Sequence, residues 1–316
     1  MTTATTFPYR VLAEEPRTPD EWAAWRDTRR TGIGSSEMAT LFGCGYRTAL
    51  ELYAVKVGAL PDEDSDGDFL RMGHRLEPAV REEFSYLSGV ECLPWQQTLR
   101  SVEHPWAIAT PDSCGCSDHD GIGPHVPVEI KTMGRGALSR WEDEGLPKRW
   151  RVQVAHQLLV TGGSHGYVAA LTADPVFRVL WGRVERDEAL LAEIVRRGEE
   201  FVARIERRDP PYPTGADADS AALRALYPEA LVSEPVALPG EFADLDDERE
   251  ALVRDLKGGE RRKKELDQRL LAAIADAEVG VLPSGVSYRV SRQEVAERVQ
   301  TVKAHTRHVL YRKEAK

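Results

Sequence analysis

Apolar residues recur every three or four positions in several segments, which is the spacing of one face of an α-helix. This period predicts helices over 20–30, 35–41, 48–60, 147–162 and 187–211. A further helix follows the stripe formed by Leu76, Val80 and Phe84, and Gly89 is a typical stop. Pro78 fits only in a first turn, where its missing N–H costs nothing, so this helix is predicted to begin near Gly73.

Between residues 90 and 130 the pattern changes to short apolar runs broken by Pro, Gly and Asp. Adjacent strands are predicted at 96–103, 106–112 and 125–132, and two more strands lie within 166–186. Helices before, between and after these strands are typical of one α/β domain with a mixed central sheet.

The pattern divides the chain into three parts. We predict an α/β domain over 1–214, an Ala/Pro/Asp-rich linker over 215–240 and a helical and β-hairpin region over 241–316. The last part is charged and carries only a thin leucine stripe. Gly258-Gly259 is expected to interrupt its helix.

Composition narrows the class of protein without giving a function. With 316 residues and 41% apolar content, the chain can bury one large core and a smaller appendage. No apolar run is long enough to cross a bilayer, and we expect no secretory signal because the first residues have no apolar stretch after a basic one. The four cysteines point to a reducing compartment. We therefore expect a cytoplasmic protein. A net charge of −10 excludes a generally basic surface but not a local groove for nucleic acid.

Three residues near the middle of the chain suggest a metal site. Asp112 ends one predicted strand, and Glu129 and Lys131 lie on the next. Because side chains alternate along a strand, Glu129 and Lys131 point to the same face. Mg²⁺ is typically bound by one or two carboxylates, waters and substrate phosphates, and the backbone carbonyl of Ile130 is a natural further ligand. This arrangement favours hydrolysis of a phosphodiester bond.

The same residues resemble a known nuclease signature. Pro111-Asp112 followed by Glu129-Ile130-Lys131 matches the PD-(D/E)XK pattern. Three further blocks, WRDTRRTGIGSSEMATLFG, MGHRLEPAVREEFSYLSG and VQVAHQLLVTGG, are similar to those of YqaJ-like viral recombinases, the family of phage lambda exonuclease. The four blocks occur in the family's order between residues 22 and 186. The resemblance implies a restriction-endonuclease-like core, a mixed sheet flanked by helices, with a helical C-terminal appendage.

The resemblance also implies an activity and a site. It implies a metal-dependent 5′→3′ exonuclease that acts on double-stranded DNA ends and leaves 3′ single strands for recombination by annealing. The implied cofactor is Mg²⁺, for which Mn²⁺ substitutes. The implied catalytic residues are Glu77, Asp112, Glu129, Lys131 and Gln153. The metal would be held by Asp112, Glu129 and the Ile130 carbonyl, with Glu77 acting through a water. A terminal 5′-phosphate would be bound by Arg29, Ser36 and Thr110.

Several alternatives remain open. Where the family helix has a second glutamine this chain has Ala155, while Gln157 matches a later one. The rival enzymes are a PD-(D/E)XK endonuclease and an end trimmer of the CRISPR-associated type, and the rival non-enzyme is a DNA-binding scaffold.

Cys114-Gly115-Cys116 with His119 lacks a fourth zinc ligand, so free thiols are expected. A single-strand annealing protein and further copies of the chain are the candidate partners besides DNA, and no membrane is expected.

Overall fold

The computed structural model describes residues 7–14, 16, 18–62, 68–95, 97–117, 121–173, 176–228 and 237–291. The chain divides into two compact units, residues 1–228 and 229–316. Within the described part of the chain, no helix is long and apolar enough to cross a membrane.

The first unit is built on a mixed five-stranded sheet. The third and fourth strands of its spatial order run parallel to each other, and the other neighbouring pairs are antiparallel. In spatial order the strands are β2 (Cys92–Pro94), β5 (Ser113–Ser117), β6 (Gly121–Met133), β7 (His165–Thr172) and β8 (Arg178–Glu185). A separate three-stranded sheet has the order β1 (Tyr9–Ala13), β3 (Thr98–Ser101) and β4 (Ile108–Ala109).

Helices surround these sheets. In chain order those described in the first unit are α1 (Pro19–Arg30), α2 (Ser35–Leu41), α3 (Ala49–Lys56), α4 (Asp68–Ser88), α5 (Arg135–Glu144), α6 (Lys148–Thr161), α7 (Glu188–Arg207) and α8 (Asp217–Leu226). The predicted α/β core, a mixed sheet flanked by helices, is confirmed.

Strand β6 lies between two helices and sends alternate side chains to each. Val128 and Ile130 pack with Val80 and Phe84 of α4, and Met133 packs against α6 on the other face. Full burial of such an apolar side chain stabilises the fold by roughly 1.5–3 kcal/mol. The charged side chains at odd positions of β6 therefore face α6 from within a packed layer.

The segment before α2 is held against β4. Ile33 forms a parallel bridge with Ala107, donates its N–H to the carbonyl of Trp106 (2.7 Å) and accepts from the N–H of Ile108 (3.0 Å). A Cβ at Gly32 would lie 2.6 Å from the Trp106 carbonyl oxygen, so only glycine permits this approach. The start of α2 is thereby fixed beside the strand that leads into Pro111-Asp112.

The predicted start of α4 was wrong. The helix begins at Asp68 rather than near Gly73, and Pro78 lies in its interior. An interior proline removes one backbone hydrogen bond at a cost of about 3 kcal/mol. The buried contacts of Val80 and Phe84 with the sheet, which no local rule anticipates, offset that cost.

The predicted linker over 215–240 is corrected in its first half. Helix α8 lies there, and the first compact unit extends to residue 228. Ala222 of α8 is buried against Leu50 of α3. The carboxylate of Asp219, itself buried, accepts a hydrogen bond from the Thr48 hydroxyl (2.6 Å). An alanine-rich composition here forms a packed helix because small side chains permit close approach to α3.

The second unit contains one long helix and a hairpin. Helix α9 (Glu241–Ile274) is followed by β9 (Val279–Val281) and β10 (Ser287–Arg289), which pair antiparallel. The expected interruption at Gly258-Gly259 does not occur. Exposed ion pairs one turn apart, such as Lys263 with Asp267 (2.7 Å), support this helix, in which no residue is buried.

Candidate active site

Glu129 and Lys131 of β6 lie on the face that meets α6. The Glu129 side chain is only 2% exposed and that of Lys131 is 25% exposed. The ammonium of Lys131 donates to Oε1 of Glu129, forming an ion pair. This contact follows from the alternation of side chains along the strand, since one residue separates the two.

Two glutamines of α6 hold the Glu129 carboxylate from the opposite side. Gln153 donates its Nε2 to Oε1 (2.5 Å), and Gln157 donates its Nε2 to Oε2 (2.6 Å). The two glutamines are four residues apart and therefore share one helix face. The resemblance pointed to Gln153 and left Gln157 open, although the i,i+4 spacing alone would have identified the pair.

Asp112 joins the cluster through the backbone of β6. Strand β5 pairs with β6 only as far as Val128, and beyond it the N–H of Ile130 donates to Oδ2 of Asp112 (2.8 Å). The N–H and C=O of one strand residue point to the same edge of the strand. The Ile130 carbonyl therefore faces the gap that Asp112 borders, where a ligand can approach both.

Glu77 reaches this region from α4. Its side chain is 17% exposed and accepts a hydrogen bond from Nδ1 of His74 (2.8 Å) when that nitrogen is protonated. One turn further along, Arg81 donates to the hydroxyl of Ser113, next to Asp112 (3.2 Å). This contact ties α4 to the start of β5 and brings the Glu77 carboxylate within electrostatic reach of Asp112.

The carboxylates that surround Asp112 raise its proton affinity. Burial raises the pKa of Asp112 well above its ordinary value, and the negative charges of Glu129 and Glu77 raise it further. The ammonium of Lys131 acts in the opposite direction. Burial alone would lower the pKa of Lys131, but its carboxylate neighbours raise it overall, so the amine stays protonated. Three carboxylates around one ammonium leave an excess of negative charge.

This donor set fits a divalent metal ion. Among the described residues, no group of three or more His, Cys, Asp or Glu side chains forms a complete metal cage. Mg²⁺ does not require one, because it usually retains waters and takes one or two carboxylates together with substrate phosphates. Asp112, Glu129 and the Ile130 carbonyl supply that number of oxygens. A cation would also relieve the repulsion that raises the pKa of Asp112.

The three residues expected to bind a 5′-phosphate are not hydrogen-bonded to one another within the described residues. Arg29 and Thr110 are connected instead through the side chains of Trp25 and Thr98. The guanidinium of Arg29 lies over the Trp25 ring (4.7 Å), and Nε1 of Trp25 donates to the hydroxyl of Thr98 (2.9 Å). That hydroxyl contacts the hydroxyl of Thr110 (3.0 Å). Ser36 is exposed at the start of α2, beside β4.

The buried cysteine thiols of β5 and of the neighbouring strand β2 do not suit a zinc site. Cys114 is buried, and burial raises the pKa of its thiol to about 11. The neighbouring thiol of Cys92 has a pKa raised to about 12, again chiefly by burial. His119, the other candidate ligand, lies outside the described residues. Thiols that resist ionisation are poor metal ligands and poor nucleophiles.

Comparison with known proteins identifies the domain that carries this cluster. The profile of the YqaJ-like viral recombinase domain matches residues 24–164. An uncharacterized protein of Bacillus subtilis (strain 168), YqaJ, is 27% identical over 267 residues, which cover 83% of this chain and 80% of that protein.

Two solved structures of exonucleases align with part of this chain. An alkaline exonuclease from Laribacter hongkongensis aligns with a TM-score of 0.48 and 21% identity over 59% of this chain and 94% of that one. A phage related exonuclease from Haemophilus somnus 129PT aligns with a TM-score of 0.37 and 10% identity over 62% of this chain and 91% of that one.

The region matched by the family profile contains every residue of the cluster described above, from Glu77 of α4 to Gln157 of α6. It also contains Arg29, Ser36 and Thr110. Residues 24–164 of this chain are thus similar to the YqaJ-like viral recombinase domain, and most of the chain is similar to YqaJ of Bacillus subtilis.

Proposed function

We propose that this protein is a metal-dependent exonuclease that degrades double-stranded DNA from its ends in the 5′→3′ direction. The 3′ single strands so produced would serve recombination by annealing. The observation that carries the proposal is the convergence of Glu129, Glu77 and the protonated Lys131 on Asp112, beside the Ile130 backbone of β6. The similarity of residues 24–164 to the YqaJ-like viral recombinase domain supports the nuclease class.

Asp112, Glu129 and the Ile130 carbonyl would hold Mg²⁺, or Mn²⁺ in its place, with Glu77 acting through a water. When bound, the metal would polarise the phosphoryl oxygen and lower the pKa of a water. Lys131 would orient the attacking water from its position on the same strand face as Glu129. Gln153 and Gln157 keep the Glu129 carboxylate in one orientation, so less reorganisation is needed when substrate binds.

The direct test uses purified protein and linear duplexes labelled at either the 5′ or the 3′ end, with and without Mg²⁺. We expect metal-dependent release of the 5′ label first and a protected 3′ strand. Nicking of closed circular DNA would indicate an endonuclease instead, and binding without hydrolysis would indicate a scaffold.

End recognition provides a separate prediction. Arg29 would bind a terminal 5′-phosphate, with Ser36 and Thr110 adding hydroxyl contacts, because a guanidinium pairs bidentately with phosphate oxygens. The wild-type protein should digest a 5′-phosphorylated duplex about tenfold or more faster than a 5′-hydroxyl duplex. Arg29→Ala should remove that preference, as measured by initial rates on the two substrates.

The matched control for end recognition is Arg183→Ala, which removes an exposed arginine of β8 that pairs with Glu185. It should keep the preference for a 5′-phosphate. Equal wild-type rates on the two substrates, or a preference that survives in Arg29→Ala, would remove Arg29 from the phosphate site.

The C-terminal region is proposed to be an accessory module. Helix α9 buries none of its residues. Residues 241–316 would tether DNA or an annealing protein, or contact a further copy of the chain. A chain ending at residue 240 should remain folded and digest short duplexes at near wild-type rates, but bind long duplexes more weakly. An insoluble product, or one inactive on short duplexes, would assign this region to the catalytic unit.

A further inference from the structure

A pocket of about 440 Å³ lies beside the start of α6. Its walls come from α5, the turn over 145–147 and the first turn of α6. We call it the basic pocket because four cationic side chains line it: Arg140, Lys148, Arg149 and Arg151. A single carboxylate, Glu144, accompanies them.

The four cations have no carboxylate partner within ion-pair distance among the residues that the structure describes. Arg140 donates its Nε to the Gly136 carbonyl (3.1 Å), and Lys148 lies over the Phe42 ring (5.9 Å). The arginines of α7 differ, since Arg196 pairs with Glu193 (2.7 Å). The chain as a whole has a net charge of −10, so these four cations form a local region of positive charge. Such a region favours the binding of an anionic ligand.

The backbone adds positive potential to the same place. The N-terminus of a helix carries a partial positive charge, and acidic side chains usually occupy the first turn. The first turn of α6 has no acidic residue, and Pro147 provides no side-chain cap. Cations at this end destabilise the isolated helix, so their presence indicates that they bind an anion rather than stabilise the helix.

The basic pocket and the candidate active site share helix α6. The guanidinium of Arg149, which lines the pocket, lies over the rings of Tyr46 (4.9 Å) and Trp150 (5.3 Å). Along α6, Arg149 precedes Gln153 by one turn on the same helix face. One turn advances about 5.4 Å. A chain of phosphates leaving the cluster at Glu129 would therefore reach the pocket within a few nucleotides.

We propose that the basic pocket binds backbone phosphates of the same DNA molecule whose scissile phosphate lies at Asp112 and Glu129. The contact is independent of base sequence, since it uses only cations and a helix start. The proposal rests on the proposed nuclease function for the identity of its ligand. It assigns a second, non-catalytic DNA contact to α5 and α6.

The test measures DNA binding rather than hydrolysis, so that it stands apart from the test of the nuclease activity. Fluorescence anisotropy with a labelled duplex, in EDTA and over a range of NaCl concentrations, gives the affinity and its salt dependence for the full-length protein. Replacing Arg140 and Arg151 together by Gln should weaken binding on the order of 10- to 100-fold at 0.1 M salt. The slope of log K against log salt should fall by about 2.

Two matched variants control for total charge and for folding. Arg196→Gln with Arg204→Gln removes two cations from α7 and should leave the slope unchanged, because both arginines are paired with carboxylates. Arg140→Lys with Arg151→Lys keeps the charge and should retain the wild-type slope. A slope unaffected by the glutamine pair, an equal loss in the α7 control, or a wild-type protein that does not bind duplex DNA would overturn the proposal. If the wild-type protein binds duplex DNA with the expected salt dependence but does not hydrolyse it in Mg²⁺, only the proposed nuclease function is contradicted.

Discussion

Asp112→Asn and Glu129→Gln should each reduce metal-dependent digestion of linear DNA by about a thousandfold or more. Both substitutions keep the size of the side chain and remove one negative charge from the cluster. A loss of about 4 kcal/mol in transition-state stabilisation corresponds to that factor. A metal ligand that also positions the phosphate can contribute this much. The rate of nucleotide release from a linear duplex in Mg²⁺ measures the effect.

The structure also predicts how the two variants differ when no metal is present. Glu129 accepts hydrogen bonds from Lys131, Gln153 and Gln157. A glutamine at this position would place its NH₂ group, a donor, against one or more of these donors. Glu129→Gln should therefore lower the melting temperature. Asp112→Asn should change it less, because burial and nearby carboxylates already disfavour the charged form.

Asp143→Asn, an exposed carboxylate of α5, is the matched control for these losses and should leave both rate and stability unchanged. Near-normal digestion by either active-site variant would show that the metal site has been assigned to the wrong residues.

The features that could be predicted from the sequence are those that depend on the periodicity of side chains along a single helix or strand. Glu129 and Lys131 share a face because strand side chains alternate, and this needs no knowledge of neighbouring strands. Similarly, the helical stripe through Val154 and Leu158 predicted α6 and its buried side. Both residues pack with Met133 of β6 in one cluster.

The features that could not be predicted depend on which elements are neighbours. The bond from the Ile130 N–H to Asp112 exists because β5 separates from β6 after Val128. Strand β5 has the sequence SCGCS, which lacks the β-branched and aromatic residues typical of strands. Its pairing with two neighbours makes it a strand, and no window of the sequence contains that information.

Local rules for proline and glycine failed for two different reasons. Pro78 lies inside α4 because one face of that helix is anchored by Val80 and Phe84. Gly258-Gly259 lies inside α9 although no side chain of that helix is buried. There, ion pairs along the helix and long runs of good helix-forming residues on both sides offset a cost of about 1 kcal/mol per glycine.

Lys131→Ala should reduce turnover by about a hundredfold or more while metal binding persists. Every carboxylate of the cluster remains in this variant, but the group proposed to orient the water is gone. Removing the ammonium also leaves the buried Glu129 carboxylate with only amide donors, which destabilises the metal-free protein. A divalent cation would then replace the missing positive charge. We therefore expect Mg²⁺ or Mn²⁺ to raise the melting temperature of Lys131→Ala by more than it raises that of the wild type.

Calorimetric titration with Mn²⁺ separates this role of Lys131 from a structural one. The expected result is an affinity equal to or tighter than that of the wild type, because repulsion among Asp112, Glu129 and Glu77 is no longer relieved by a lysine. Lys148→Ala is a control that removes an exposed lysine outside the cluster and should change neither Mn²⁺ affinity nor the metal-induced rise in melting temperature. Loss of Mn²⁺ binding in Lys131→Ala would show that the lysine organises the metal site itself. Retained turnover would show that the water is oriented by another group, for which Glu77 is the nearest candidate, since its carboxylate acts on the same Asp112.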